Sequence, residues 1–138
     1  MKKLLFLIFI ICMNFTVKAQ TGDAKYVQIK QVYDFQDKFN EYRVNSFLKH
    51  QFEEAGYIVF YDNQELPSEV STNPCKLLKC NVTRDKSMLA TKLQLSLIDC
   101  NNRTVYTANG ESRIKKRSKS HVDALKNALQ YAKLPVVN

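Results

Sequence analysis

The sequence has few of the residues on which most enzymes and metal proteins depend. It contains only two histidines, His50 and His121, and neither lies in a recognisable nucleophile motif. Its three glycines do not form a loop that cradles a phosphate. The spacing of its four cysteines also lacks the CxxC pairs of a metal site. We therefore predict a protein that is not an enzyme and that carries no metal or cofactor.

Long apolar runs are confined to the N-terminus, which reads MKKLLFLIFIICMNFTVKAQ. Two lysines precede an apolar run that begins at Leu4 and has about half of the roughly 20 residues needed to span a bilayer. This order of basic, apolar and small residues is typical of a secretory signal peptide. Val17 and Ala19 fit the positions before a cleavage site. We therefore predict a signal peptide at residues 1–19 and a mature chain that begins at Gln20.

Two alternatives to cleavage remain open for this segment. An uncleaved segment would anchor the chain, and a lipoprotein anchor would use Cys12. However, Cys12 follows the bulky Ile11, whereas lipoprotein processing requires a small residue there. The main prediction is therefore export to the periplasm or the exterior, with no transmembrane segment in the mature chain.

The chain is basic, with a formal net charge of +8. Three of those charges belong to the predicted signal, which contains Lys2, Lys3 and Lys18 and no acidic residue. An exported protein seldom meets nucleic acid, so the remaining charge favours anionic glycans, lipids or membrane surfaces as partners. The alternative is that the charge serves only solubility.

The first half of the mature chain reads as strand, helix and strand. The segment KYVQIKQ alternates apolar and polar residues, as a strand with one buried face does. A helix follows, with Asn40 as the expected N-cap and Gly56 as the left-handed C-terminal cap. The run YIVFY then forms a second strand, parallel to the first. The apolar side of the helix comprises Val44, Phe47, Leu48, Phe52 and Ala55.

The second half begins with a polar loop at residues 62–74, in which Leu66 is a candidate to pack against the core. A final helix is expected to begin near Ser120, with Asp123 completing a capping box. Between them, antiparallel strands are expected at about 75–84, 91–99 and 103–110, with an Asn101–Asn102 turn before the last strand. The buried side of the final helix comprises Val122, Leu125, Ala128, Leu129 and Ala132.

These elements predict a single α/β domain over residues 20–138. Its class is a two-layer α+β sandwich, with the order β-α-β-β-β-β-α. The mixed sheet has about five strands, and both helices pack on one of its faces.

Three cysteines lie in or directly after the first two antiparallel strands. Pairing the apolar faces of those strands places Cys80 opposite Leu95, and Cys75 opposite Cys100. Opposed residues lie close enough for a disulfide, and disulfides persist in exported proteins. We predict a Cys75–Cys100 bond that contributes about 3 kcal/mol, with two unbridged thiols as the alternative. Cys80 is expected to be a small buried side chain rather than a nucleophile.

The densest run of charge is RIKKRSK, at residues 113–119. It leads into a helix N-terminus, which itself favours anions, so an anion-binding patch is one interpretation. The alternative is a solvated strand end that protects a sheet edge. The candidate anion-binding residues are Arg113, Lys115, Lys116, Arg117 and Lys119, which an exposed His121 would follow.

The same strand register predicts an apolar row on the sheet face away from the helices. Leu77 would lie opposite Ile98, and Ile98 opposite Val105. Either the N-terminal VYDF or the C-terminal PVV folds over this row, or the row is a docking surface for another protein.

Several stretches carry a resemblance to known proteins. They are the signal ending VKAQ, the segments NSFLKHQFEEAGYIVFYDNQELP and KSMLATKLQLSLIDCNNRTVY, and the basic run before the final helix. Together they resemble small secreted proteins of the Bacteroidetes group whose function is uncharacterised, and they imply structural rather than catalytic motifs. More remotely, EEAGY followed by a strand and LQLSLIDCNNRTVYT resembles periplasmic α/β modules such as the TolB N-terminal domain and the curli-secretion lipoprotein.

Two functions follow as hypotheses. The first is an exported envelope module, without enzymatic activity, that binds another protein through a sheet edge or its uncovered face. The second is a binder of an anionic glycan or lipid through residues 113–119. Strongly salt-dependent retention on anionic surfaces would favour the second hypothesis.

Overall fold

The computed structural model describes residues 22–86 and 89–137, whose strands form a five-stranded mixed sheet. The strands lie in the order β2-β1-β3-β4-β5, with β1 parallel to β2 and β3 and the other pairs antiparallel. The predicted α/β sandwich is thereby confirmed, while the predicted signal peptide lies outside the described residues. The strands are β1 (Tyr26–Ile29), β2 (Ile58–Tyr61), β3 (Leu77–Asp85), β4 (Thr91–Ile98) and β5 (Thr104–Ser112). The helices are α1 (Val44–Glu54), α2 (Ser68–Thr72) and α3 (Arg117–Tyr131).

Helix α1 confirms the apolar stripe predicted between the first two strands. Val44, Leu48 and Phe52 are completely buried in the main core. Gly56 follows with a φ of +94°, the left-handed conformation expected of a glycine after a helix end. The N–H of Tyr57 then donates to the Phe52 carbonyl at 3.0 Å, which turns the chain back into β2.

The start of α1 differs from the prediction. The helix begins at Val44, and a tight turn separates it from Asn40. Asn40, Tyr42 and Arg43 have φ values of 56°, 58° and 61°, a conformation that costs roughly 1–2 kcal/mol for each residue with a side chain. Asn40 still serves the helix from a distance, because its Oδ1 accepts a hydrogen bond from the Ser46 N–H at 3.0 Å.

The predicted loop at residues 62–74 contains the short helix α2 and covers part of the second sheet face. Its Leu66 packs onto that face, as predicted, and Leu77 of β3 is buried there. The loop is therefore a structural cover and not only an exposed connection. The complete second cluster comprises Tyr26, Phe60, Leu66, Val70 and Leu77.

The pairing of β3 with β4 differs from the predicted register by two residues. Cys80 lies opposite Leu97, two positions later than expected. Because strand side chains alternate with a period of two, the shift leaves Cys80 on the helix face. Cys75 still reaches Cys100, because it lies before β3 in the 3-10 turn Pro74–Lys76, where the chain rises less per residue than in a strand. The predicted register was wrong, but the predicted bond is correct.

The pairing of β4 with β5 follows the predicted register until the end of β4. Leu97 lies opposite Tyr106, but Ile98 lies opposite Thr104. Val105 is therefore the extra residue of a β-bulge and not the partner of Ile98. Its side chain packs against the main core. The predicted pairing of Ile98 with Val105 was wrong.

The loop between β4 and β5 is longer than the predicted Asn101–Asn102 turn. The N–H of Asp99 donates to the Arg103 carbonyl at 2.9 Å, so the loop between these paired positions has three residues. Asn102 has a φ of 59°, the positive value that the sequence suggested for this turn. Three-residue hairpin loops commonly carry a bulge, which accounts for the shifted last pair.

Helix α3 begins at Arg117, before the predicted start at Ser120. Ser120 is therefore buried within the helix, and Asp123 accepts a hydrogen bond from Ser112 instead of completing a capping box. The side of the helix that faces the sheet also differs from the prediction, and His121 is completely buried rather than exposed. The buried side comprises Ser120, His121, Ala124, Leu125 and Ala128.

Helix α3 lies very close to β5 at Gly110. A β-carbon on Gly110 would lie 1.8 Å from the Ala124 carbonyl oxygen and 2.6 Å from the Ala128 backbone nitrogen. No other residue fits without moving the helix, because both obstacles are backbone atoms. This contact sets the distance between α3 and the sheet, and with it the position of residues 113–119.

Candidate anion-binding surface

Residues 113–119 connect the end of β5 to the first turn of α3. At the strand end, the Ser112 hydroxyl donates to the Asp123 carboxylate at 2.6 Å. At the helix end, the Ser120 N–H donates to the Lys116 carbonyl at 3.0 Å. The backbone is thus tied at both ends, while the basic side chains between them are exposed.

The five predicted anion-binding residues do not form one patch. Arg113, Lys115 and Arg117 line a groove on one side of the segment. Lys119 lines a second groove, between α1 and α3. Lys116 belongs to the lining of neither groove. The segment therefore lies between two concave surfaces, and its Ile114 lines both of them.

The first groove, which we call the basic groove, has a volume of about 940 Å³. That volume lies within the range of small-ligand sites. Phe35 contributes an aromatic ring to the lining, and Asp34 and Asp85 are its acidic residues. The groove is nevertheless basic, because it is lined by five cationic side chains: Arg84, Lys86, Arg113, Lys115 and Arg117.

Most of these cations form no ion pair within the described part of the chain. Arg113 lies 3.6 Å from Glu111 in an exposed ion pair. By contrast, Arg84, Lys115 and Arg117 form no ion pair with any residue in 22–86 or 89–137. These three side chains are therefore available to an anionic ligand.

Sequence reasoning missed Arg84 and Lys86, which lie at the far end of β3 from the disulfide. They approach the basic segment because the β3–β4–β5 strands are antiparallel neighbours. In particular, β4 begins with Thr91 opposite Ser112, the residue that precedes the segment. Pairing the three predicted antiparallel strands in sequence would have been enough to place the end of β3 at the same end of the sheet as residues 113–119.

An aromatic stack around the buried His121 lies beside the basic groove. The His121 ring is nearly parallel to Tyr42, with ring centres 4.0 Å apart, and to Phe35, with centres 5.5 Å apart. Its Nδ1 lies 2.9 Å from the Arg117 carbonyl, which can only accept, so Nδ1 carries the proton. Its Nε2 is buried and has no hydrogen-bond partner among the residues described.

The protonation of His121 depends on its surroundings. Burial lowers its pKa below the ordinary value of 6.5, and the charges of Arg84 and Arg117 act in the same direction. The hydrogen bond to the Arg117 carbonyl and the charge of Glu41 oppose that change. The ring is therefore neutral at pH 7.

Ser120 and His121 do not form a catalytic pair. The Ser120 hydroxyl lies 3.4 Å from His121 Nδ1, but the proton on that nitrogen points to the Arg117 carbonyl. Both side chains are buried, and the Ser120 hydroxyl accepts a hydrogen bond from Thr91 at 2.9 Å. The described part of the chain also has no group of three His, Cys, Asp or Glu side chains that could hold a metal ion.

The cysteines have structural positions. The Cys75–Cys100 disulfide is present, as predicted. Cys80 is free and buried, and burial raises the pKa of its thiol to about 12, so the nucleophilic thiolate is scarce at neutral pH. A disulfide fits a periplasmic or extracellular protein. Within residues 22–86 and 89–137, no helix is long and apolar enough to cross a membrane.

The three residues of the predicted interaction face do not form a row. Leu77 is 7% exposed and lies under Leu66 and Val70. Ile98 is half-buried, and Val105 packs with the main core. The VYDF segment and the PVV tail also contribute to the main core and not to the cover over Leu77. A role for these residues in binding another protein stays a prediction.

Comparison with known proteins gives little further information. No family model and no curated protein matches the chain. Two solved structures of the PelC dodecamer from Paraburkholderia phytofirmans are similar to it, one of them carrying a single leucine-to-methionine substitution. The substituted form has a TM-score of 0.48 and 12% identity over 78% of this chain and 88% of that chain. The other has a TM-score of 0.47 and 13% identity over 78% and 86%. Similarity at this level carries no inference about binding or assembly.

Proposed function

We propose that the protein is an exported module, without enzymatic activity, that binds an anionic glycan in the basic groove. The observation that supports this function is the convergence of Arg84, Lys115 and Arg117 from two distant parts of the chain. Like charges that are gathered without ion-pair partners repel one another and weaken the fold. Such a local cost is typical of a functional site, where a ligand supplies the missing charge.

The shape of the surface favours a glycan over a membrane. Side chains from the end of β3, from residues 34–35 and from the basic segment border the groove on several sides. A flexible chain of acidic sugars can enter such a groove, whereas a flat bilayer reaches only side chains that project outward. Arg84 and Arg117 also offer planar forks of donors that match carboxylate and sulfate groups.

Heparin provides a test probe for this proposal. We expect the mature chain to be retained on a heparin column and to elute earlier as salt increases, because the contacts are between exposed charges. The double variant Arg84→Glu/Arg117→Glu should bind heparin at least about tenfold more weakly, a change of roughly 1.4 kcal/mol. Binding would be measured by titration at fixed ionic strength, after circular dichroism has confirmed the fold.

A matched control separates the groove from net charge. Lys38→Glu/Lys133→Glu makes the same change in charge at two exposed lysines outside both grooves. Equal weakening in the two double variants would contradict the proposal, because it would show that only net charge matters. Stronger binding to phosphatidylglycerol vesicles than to heparin, lost in the groove variant, would replace the glycan with a membrane surface.

A protein partner is the second candidate. The edge strand β2 leaves Ile58 46% exposed, and Phe39, whose ring meets Tyr61 edge-on at 5.4 Å between centres, is 51% exposed. An exposed apolar edge can pair with another chain. A photo-crosslinker placed at Ile58 would test this in the native envelope, with the exposed Lys92 as the control position. Identical products from the two positions would count against a specific partner at β2.

A further inference from the structure

The second groove lies on the other side of the basic segment, between α1 and α3, and has a volume of about 600 Å³. Apolar side chains form part of its lining, as they do in the basic groove, but here two of them come from facing helices. Phe47 of α1 and Val122 of α3 are half-buried there, and Ile114 from the connecting segment is 43% exposed. The two helices therefore leave a strip of apolar surface open to solvent.

Cations surround this strip. Arg43, Lys119 and Lys126 line the groove, and none forms an ion pair with a residue in the described ranges. The acidic residue in the lining is Asp123, whose carboxylate accepts a hydrogen bond of 2.6 Å from the Ser112 hydroxyl. The positive charge of the groove thus exceeds its negative charge.

We propose that this amphipathic groove binds a single-chain anionic amphiphile, with the acyl chain against Phe47, Ile114 and Val122 and the acidic head group among the surrounding cations. A hydrophilic polyanion would leave the apolar strip wet, and an uncharged hydrophobe would leave the cations without counter-charge. A long-chain carboxylate satisfies both parts, because burial of its chain and pairing of its head are each favourable. This site shares Ile114 with the basic groove, but its charged residues are different and the proposal does not depend on glycan binding.

Tetradecanoate, kept below its micelle-forming concentration, is the probe for this site. Isothermal titration of the mature chain should show saturable binding of one molecule. Tetradecan-1-ol keeps the chain and lacks the charge, and acetate keeps the charge and lacks the chain. The alcohol should bind at least about tenfold more weakly than tetradecanoate, and acetate should give no measurable binding. Equal affinity for the alcohol, or no binding of tetradecanoate, would overturn the proposal.

Substitutions then locate the binding. Lys119→Glu/Lys126→Glu should weaken tetradecanoate binding about tenfold or more, whereas the control Lys38→Glu/Lys133→Glu should not. Ile114→Ser should also weaken it, and this change should leave the fold intact because the side chain lies partly in solvent. Because Ile114 lines both grooves, the lysine variant is the one that assigns the binding to this groove. Unchanged affinity in both site variants would show that the amphiphile binds elsewhere.

The glycan proposal and this one fail separately. The variant Arg84→Glu/Arg117→Glu should lose heparin binding and keep tetradecanoate binding. Lys119→Glu/Lys126→Glu should lose more affinity for tetradecanoate than for heparin. If Arg84→Glu/Arg117→Glu loses tetradecanoate binding while Lys119→Glu/Lys126→Glu keeps it, the amphiphile binds in the basic groove. That result would overturn its assignment to the groove between α1 and α3.

Discussion

The two ends of the β3–β4 pair differ in whether their charged side chains are paired. At the end with the disulfide, which we call the stapled end (residues 69–76 and 99–103), acidic groups are paired. Asp99 accepts hydrogen bonds from the N–H groups of Arg103 and Asn101, each at 2.9 Å, and these bonds with the Arg103 charge lower its pKa. At the other end, the side chains of Arg84 and Arg117 form no ion pair with any described residue. Charge serves the fold at one end and remains available at the other.

Glu69 repeats the pattern of the stapled end. Its carboxylate accepts a hydrogen bond from the Tyr26 hydroxyl at 2.7 Å and lies 3.6 Å from the Lys25 amine and 3.5 Å from the Lys76 amine. The hydroxyl has the largest effect in lowering the pKa of Glu69. Because these groups are partly exposed, their contribution to stability is small. The stapled end depends mainly on its covalent bond.

The basic end depends on packing instead, and Gly110 offers the strongest way to break it. Gly110→Ala should lower the free energy of unfolding by about 3 kcal/mol, because the added carbon meets backbone atoms of α3 that cannot move independently. Urea unfolding would measure the change. Asn109→Ala, on the exposed neighbour, should cost less than about 1 kcal/mol. Equal unfolding midpoints for Gly110→Ala and the wild type would refute the close helix contact.

The stapled end can be broken by removing its bond. Cys75→Ser/Cys100→Ser should lower the free energy of unfolding by about 3 kcal/mol under the chain-entropy account. A reducing agent should destabilise the wild type to a similar extent and leave the double variant unaffected. Heparin binding of the still-folded variant should be unchanged, since the basic groove lies at the other end. A stability of the wild type that does not respond to reductant would contradict the staple.

A smaller effect is the pH dependence of the free energy of unfolding that His121 causes at the basic end. The unfolded state takes up a proton on His121 near pH 6.5, whereas the folded state does so only at lower pH. The neutral His121 ring therefore makes its full contribution to stability above the pKa of the unfolded state. That contribution is lost as the pH falls through the pKa of the folded state. His121→Phe keeps a flat ring between Phe35 and Tyr42, so its free energy of unfolding should change less between pH 7 and pH 5.

The exposed His50 provides the control for that measurement. Its Nε2 lies 3.4 Å from Glu54, and its side chain is largely in solvent. His50→Gln should therefore keep the pH dependence of the wild type. An equal pH dependence in His121→Phe and the wild type would show that protonation of His121 does not control stability in this range.

Much of the fold could be predicted from the sequence because hydrophobic patterns report which face of an element is buried. The stripe of α1 and the alternation around Cys80 indicated which residues face the core. The disulfide was predicted correctly even though the register that suggested it was wrong by two residues. The start of α3 was not, because Ser120 and Asp123 match a capping box by spacing alone. Their true partners, Thr91 and Ser112, lie on other strands, which no local rule reveals.

The candidate site was harder to predict for a similar reason. The basic run was visible, but its division into two grooves depends on the side of the backbone from which each residue projects. Arg113, Lys115 and Arg117 meet Arg84 only after three strands have paired. A run of charged residues indicates that its side chains are exposed. It does not indicate which residues lie beside them, because those neighbours come from distant parts of the chain.

The shift of two residues between β3 and β4 also bears on how such a domain tolerates change. A hydrophobic pattern encodes whether a strand is displaced by an even or an odd number, and not the size of an even displacement. Over evolutionary time, the hairpin could therefore slide in steps of two without exposing Cys80 or its apolar neighbours. A slip of a single residue would move the apolar side chains of the strand to the solvent face. Only displacements by an even number of residues therefore leave the core intact.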